Sequence, residues 1–492
     1  MTTVHTSLGP IRGRERHGVH QFLGIRYAEP PTGARRFAPP VPVGGWDGIH
    51  DATRFGAAAP QVARAASSPL PSRNIVWDED CLFLNVYTPA PDGAGRPVLF
   101  WIHGGSYTAG SGDAYDGTSF ARQGDIVVVT VNYRLGVFGF MELGHLDPAL
   151  AGSQNNGIRD QITALQWVHD HIADFGGDPG QVTICGESAG AGSVAAILGA
   201  PTADPLYHRA IAQSPPVSFP RTTTDHSDLV VEAVGRGIEG LRAAHPQQLL
   251  DAQVAVGEAL MQGREPFLLG EGRGGLRPAL DDHTITRHPV EAVRALGPAA
   301  KPLLIGTNTD EGTLFGFYLT GAVSDAQLRA AVAEHHDDPD KVIAVFRREH
   351  PGESNRRLMV RMLTDTMFRT GALELADAQA DAGGTVHVYL FTWASQGFGG
   401  RLGAMHALEI PFVWNGDVAA WGAVLGDDHP WPVDLADRMH RAWIAFIRDG
   451  DPSHEGIGEW PPYDTNRRPT MEFGATSGIL HDPIGELRVV WT

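Results

Sequence analysis

Residues 182–190 read Val182-Thr183-Ile184-Cys185-Gly186-Glu187-Ser188-Ala189-Gly190, an apolar run that breaks into a serine between two glycines. The run Gln181–Cys185 has the apolar, β-branched composition of a strand buried on both faces. The small residues from Ala189 to Leu198 predict a helix. A Gly-x-Ser-x-Gly turn from strand into helix is the setting of a nucleophile elbow. The turn strains the serine backbone, and glycines at 186 and 190 leave space where larger side chains would clash. The hydroxyl is lifted above the sheet edge, and the following amides are aimed toward its target. In a chain with 60 glycines the pattern alone has a chance reading; the strand before it and the helix after it favour the chemical one.

Working outward, Leu82–Thr88, Val98–Ile102 and Ile126–Val131 are further strand-like runs. Between the last of these and the elbow strand, Ile158, Ile162, Leu165, Val168 and Ile172 recur at helical spacing with polar residues opposite. Strand, helix, strand in this order is the βαβ signature of an α/β sheet. Residues 220–380 read mainly as helices. Pro302–Ile305 and Val386–Phe391 resume the sheet, 433–448 forms another helix, and Leu487–Trp491 is expected as a final strand. No repeat or long linker divides the chain. The expectation is one domain over 1–492: a large, mixed, mostly parallel sheet flanked by helices, with a helical insertion at roughly 220–380 covering one side.

Serine is a weak nucleophile until a base takes its proton, and attack on a carbonyl needs donors for the oxyanion. His103-Gly104-Gly105-Ser106-Tyr107 directly follows the strand Val98–Ile102, and its small residues let amides approach a substrate oxygen. A plain glycine-rich turn is the alternative. The residues alone do not choose a base among 22 histidines, nor an acid.

With these segments in place the chain resembles a type-B carboxylesterase of the carboxylesterase–cholinesterase family, in its bacterial para-nitrobenzyl-esterase-like form. The resembling blocks are Phe22–Ala28 with Arg36-Phe37, Glu79–Val86, Asn132–Gly136, Asn156–Gln161, Phe175–Pro179 and the elbow. They continue with Gly306–Gly312, Gly403–His406, Glu409–Val413, Gly450–Pro452 and Trp460–Tyr463, in order along nearly the whole chain. The resemblance implies an α/β-hydrolase fold and a serine esterase acting on small to medium neutral carboxylic esters through an acyl-enzyme, with water as co-substrate. It implies Ser188 as nucleophile, Glu311 as acid and His406 as base, in the chain order this fold uses. It implies oxyanion donors at the amides of Gly105, Ser106 and Ala189, and supporting roles for Glu187 and Ser214. Position 106 is usually glycine or alanine, so Ser106 puts acceptance of bulky tertiary-alcohol esters in doubt; Pro215 replaces a usual glycine. Arg36 with Glu79 and Arg134 with Asp160 resemble the family's internal ion pairs. Cys81 resembles a cysteine that pairs upstream in secreted members, but no upstream cysteine exists here.

The same triad would serve amide, carbamate or thioester hydrolysis, or acyl transfer. A non-catalytic binding member of the fold is the reading from another class, and such relatives usually lack a triad residue. No cofactor is expected, and two separated cysteines do not support zinc. A net charge of −19 argues against nucleic acid or an anionic membrane as partner. No run of about 18 apolar residues occurs. With two cysteines and no visible signal segment, the expectation is a cytoplasmic protein. Gly270–Gly275 matches a dinucleotide fingerprint by letters, but Leu276-Arg277-Pro278 follows instead of a helix, so that reading is rejected. Trp77 is assigned to packing. Phe267, Phe315, Phe317, Trp393 and Phe398 are pocket candidates and equally core candidates.

Overall fold

The computed structural model describes residues 1–62, 68–70, 75–261, 275–317, 321–416, 419–426 and 431–491. Its strands are β1 (Thr2–Thr6), β2 (Gly9–Arg16), β3 (Val19–Arg26), β4 (His50–Asp51), β5 (Phe83–Thr88), β6 (Arg96–Ile102) and β7 (Val127–Val131). They continue as β8 (Gly177–Glu187), β9 (Arg209–Gln213), β10 (Leu303–Asn308), β11 (Val386–Phe391), β12 (Pro469–Phe473) and β13 (Ser477–His481). All belong to one sheet, ordered β1-β2-β3-β5-β7-β6-β8-β9-β10-β11-β12-β13, with β4 beside β2. From β7 to β12 neighbours run parallel. The flanks close with antiparallel pairs, β3–β5–β7 on one side and β12–β13 on the other.

The unbroken apolar runs follow from burial on both faces. Along β6, Val98, Phe100 and Ile102 enter one core while Leu99 and Trp101 enter the other. Alternate side chains of a strand point to opposite faces, so both must be apolar here. The helices Asn156–His171 and Ala189–Leu198 cover the first face. The helix Val433–Asp449 covers the second with Leu435, Met439, Trp443 and Phe446.

β10, at the run 302–305 expected as strand, divides the helical region 220–380, and among the described residues its helices lie within 224–261, 289–296 and 312–381. One sequence expectation changes. Residues 487–491 do not form a strand: Gly485–Val489 is helical. Leu487, Val490 and Trp491 recur at helical spacing and pack on the small cluster of Leu328, Val342, Phe346 and Met362. Gly270–Gly274 and Phe267 lie outside the described residues.

Both ion pairs suggested by resemblance are made. Arg36 grips Glu79 through Nε (2.6 Å) and Nη2. The Arg134 guanidinium donates to both Asp160 oxygens at 2.8 and 2.7 Å, and the Arg134 amide adds a third bond at 3.0 Å. This second pair is buried, so each charge depends on the other for its solvation. Asp160→Asn strands the Arg134 cation and is expected to cost about 3–5 kcal/mol, read from the denaturation midpoint; an unchanged midpoint contradicts the assignment.

Candidate active site

The elbow joins β8 to the helix Ala189–Leu198 at a single residue. Ser188 has φ 56° and ψ −125°, a region a β-carbon disfavours. Three contacts hold it there: its amide donates to Gln213 O (2.9 Å), its carbonyl accepts from Gly192 N (2.8 Å), and both flanking glycines are in tight quarters. A β-carbon on Gly190 would lie 2.0 Å from Ile102 O, and one on Gly186 would lie 2.4 Å from Gly190 C. The glycines are therefore steric requirements of the turn. Ser188 is half-buried and remains open on one side.

Glu311 and His406 arrive from the ends of other segments. Glu311 follows β10 after a two-residue turn, and Asn308, the last residue of that strand, donates its amide to Glu311 Oε1 at 2.6 Å. Ser214 Oγ donates to the same oxygen at 2.5 Å, and Glu311 Oε2 meets His406 Nδ1 at 2.6 Å. Asp310 joins the two loops: its amide donates to Ala404 O (3.0 Å), and its carboxylate accepts from Ala404 N (3.1 Å). With Nδ1 committed to the carboxylate, Nε2 is the ring's second nitrogen. No hydrogen bond joins it to Ser188; its contact is the ion pair to Glu187 Oε1 at 3.2 Å. In unliganded sites such bonds are often long and tighten when substrate docks.

The electrostatics are one-sided. Burial by itself depresses the His406 imidazole, but Glu187, then Glu311 with its hydrogen bond, and Glu409 outweigh it and hold the group up at about 9. Glu409 is fully buried and bound by Gln213 Nε2 (3.1 Å) and Asn308 Nδ2 (2.7 Å). Burial, then the Glu311 charge, raises its carboxyl above the usual range.

The segment His103–Tyr107 presses on the elbow: a β-carbon on Gly104 would lie 2.6 Å from Glu187 O and 3.0 Å from Ser188 Cβ. Gly105 has φ 116°, and a β-carbon there would meet Ala109 O at 2.2 Å. Among the described residues the amides of Gly105, Ser106 and Ala189 have no acceptor in the chain. Such a set of unspent donors beside a hydroxyl suits an oxyanion. His103 is kept neutral, depressed to about 4 by burial, with Nδ1 on Gly104 O (2.9 Å) and its ring stacked on Tyr133.

Gly105 and Ser106 thus follow β6, Glu187 to Ala189 lie at the end of β8, Ser214 follows β9 and Glu311 follows β10, all past the same ends of parallel strands, with His406 joined to Glu311. Of the aromatic candidates, Phe315 lies 5.3 Å ring to ring from His406. Phe317 and Phe398 pair at 5.5 Å, and Trp393 packs on Phe412. Sequence reasoning gave no role to Asn308, which bridges Glu311 and Glu409, or to Gln213, which bridges the elbow and Glu409. It also passed over Phe368, stacked on His406 at 4.4 Å. Asn308 lies inside a block already singled out; Phe368 carries no local signal. Among the described residues no group of histidine, cysteine and carboxylate side chains is arranged to hold a metal ion. Cys81 and Cys185 are buried thiols.

A family model described as the carboxylesterase family matches residues 1–483. Phenmedipham hydrolase of Pseudarthrobacter oxydans is 36% identical over 475 residues, covering 94% of this chain and 92% of that protein. Para-nitrobenzyl esterase of Bacillus subtilis is 34% identical over 496 residues, covering 99% and 97%. Among solved structures, a Geobacillus stearothermophilus carboxylesterase superposes with a TM-score of 0.87 at 36% identity, with 100% of both chains covered.

The charge arrangement has a direct readout in nitrogen NMR of the imidazole. A raised pKa means the ring stays charged to higher pH than a free histidine, whose midpoint is about 6.5. Its titration is expected above that value, and Glu187→Gln, which removes one stabilising anion, is expected to lower it by about one pH unit. A midpoint that ignores the substitution contradicts the arrangement.

Proposed function

The chain belongs to the carboxylesterase family and is a carboxylic-ester hydrolase of the α/β-hydrolase fold, and from that premise we propose that Ser188, His406 and Glu311 are its catalytic triad. The observation that carries this reading is the His406–Glu311 contact of 2.6 Å, which leaves Nε2 as the ring's available base on the side of Glu187, the elbow residue before Ser188. When an ester docks, His406 Nε2 takes the Ser188 proton as Oγ attacks the carbonyl carbon. The negative charge that develops on the carbonyl oxygen is received by the amides of Gly105, Ser106 and Ala189. His406 then gives the proton to the departing alkoxide, which leaves as the alcohol while the acyl group stays on Ser188 Oγ. Water attacks that ester with His406 again as base, releasing the acid and restoring the serine. Glu311 orients the ring through Nδ1 and stabilises the imidazolium. Three donors hold it for this role: Asn308 N, Ser214 Oγ and His406 Nδ1.

The substrates of this reading are small to medium neutral esters. The aromatic residues Phe315, Phe317 and Phe398 favour substrates that bring an apolar group toward the site. Ser106 is exposed at the oxyanion segment, where its hydroxyl takes up space beyond that of a glycine or alanine and so disfavours tertiary-alcohol esters. The reading needs no cofactor and no second macromolecule. It treats 1–492 as one functional unit and places it in the cytoplasm. Among the described residues no helix is long and apolar enough to cross a membrane.

Three measurements test the proposal. A fluorophosphonate label is expected on Ser188 by mass spectrometry, and Ser188→Ala is expected to lower aryl-ester turnover by at least about a thousandfold with the fold intact. Since only the neutral imidazole accepts a proton, kcat/KM is expected to fall as pH drops, with its inflection above about 6.5. Ordinary turnover by Ser188→Ala, or a flat profile from about pH 5 to 8, contradicts the triad.

A further inference from the structure

Phe368 is buried, and its ring lies on the His406 imidazole with centroids 4.4 Å apart and planes inclined by 23°. It stands in an irregular piece of helix. The helix Asn355–Thr364 runs through a π turn at Asp365–Arg369 into Thr370–Asp381, and the Thr370 amide donates to Asp365 O, five residues back. In a regular α-helix adjacent side chains diverge by about 100°. The widened turn instead lets Phe368 and Arg369 serve the same loop system. Arg369 Nη2 donates to Asn308 O and Thr309 O, both at 3.0 Å, and Nη1 donates to Asp365 Oδ1 at 2.8 Å. Thr364 Oγ1 accepts from Gly312 N at 2.9 Å. The turn is thus fastened on both sides of Glu311 while presenting an aromatic face to Glu311's hydrogen-bond partner.

We propose that Phe368 is a positioning residue for ester hydrolysis, its ring fixing the plane of the His406 imidazole and favouring the imidazolium formed when Ser188 loses its proton. The inference rests on His406 acting as the base. A cation over an aromatic face is attracted by the ring quadrupole, and the attraction grows when water is excluded. The neutral ring gains less, so the contact is worth more at the transition state than in the ground state. Other charges near His406 are Glu187 at the elbow, Glu311 and Asp310 after β10, and Glu409 after the histidine. On the π turn Arg369 is paired with Asp365, and in the preceding helix Arg361 pairs with Glu353 and Asp310. The anions favour imidazolium without setting the ring's tilt; Phe368 makes the stacked contact and the π turn fixes its place.

The test compares Phe368→Leu and Phe368→Met, which remove the ring, with Phe368→Tyr, which keeps it. Rates are normalised to fluorophosphonate-titratable enzyme, so a poorly folding variant does not mimic a slow one. Both aliphatic variants are expected to lose about tenfold in kcat with KM within about twofold. Their acid inflection is expected to move down by about half a pH unit. Phe368→Tyr is expected to keep kcat within about threefold of the parent. An unchanged inflection in the aliphatic variants, or equal loss in all three, overturns the proposal and reduces Phe368 to packing. His406→Ala is assayed alongside: substantial turnover there sinks the base assignment itself, a failure distinct from that of Phe368.

Discussion

A serine backbone held at φ 56°, ψ −125° is the constraint on which the rest of the site depends. Such a conformation costs of order 1–3 kcal/mol and persists only where the surroundings over-determine it. Here the parallel sheet does so. β8 delivers the residue, β9 takes its amide through Gln213 O, and the end of β6 fills the space where a β-carbon at 190 would go. The same crowding presses Gly104 onto Ser188, directly before Gly105 and Ser106, whose amides have no acceptor among the described residues. Sheet order, glycine placement and donor placement are consequences of one packing problem.

The second organising feature is a single imidazole among buried carboxylates. Glu187, Glu311 and Glu409 come from three different segments, and removing that much negative charge from water is costly unless each oxygen finds donors. Asn308 supplies two, its backbone amide to Glu311 and its side-chain amide to Glu409. Gln213 supplies another while its carbonyl holds the elbow and its Oε1 accepts from Trp443 Nε1 at 3.1 Å. These amides tie the buried carboxylates to the ends of β9 and β10. The cluster then favours positive charge on His406, the charge that the proposed transfer from Ser188 places there.

How far this was legible in the sequence depends on how local each cause is. Strands buried on both faces, such as 98–102 and 386–391, announce themselves as apolar runs, and the elbow is spelled within nine residues. The polar N-terminal strands Thr2–Thr6 and Gly9–Arg16 flank the sheet and have too little buried side chain to leave a run. Leu487–Trp491 was misread because five residues cannot separate a strand from a helix burying positions 487, 490 and 491. Glu311 and His406, separated from the serine by long intervals, came only through family resemblance. Nothing in the letters around Phe368 marks a π turn, and its ring contact is with a loop nearly 40 residues away.

The most direct test of the account is a rapid-quench experiment on an aryl ester, with intact-protein mass and peptide mapping across the first turnover. The account predicts a burst of phenol release approaching one equivalent per enzyme, matched by an acyl adduct on Ser188 that decays at the turnover rate. Full first-turnover product formation with no acyl adduct on Ser188, even where deacylation is slowed by low pH, would contradict it.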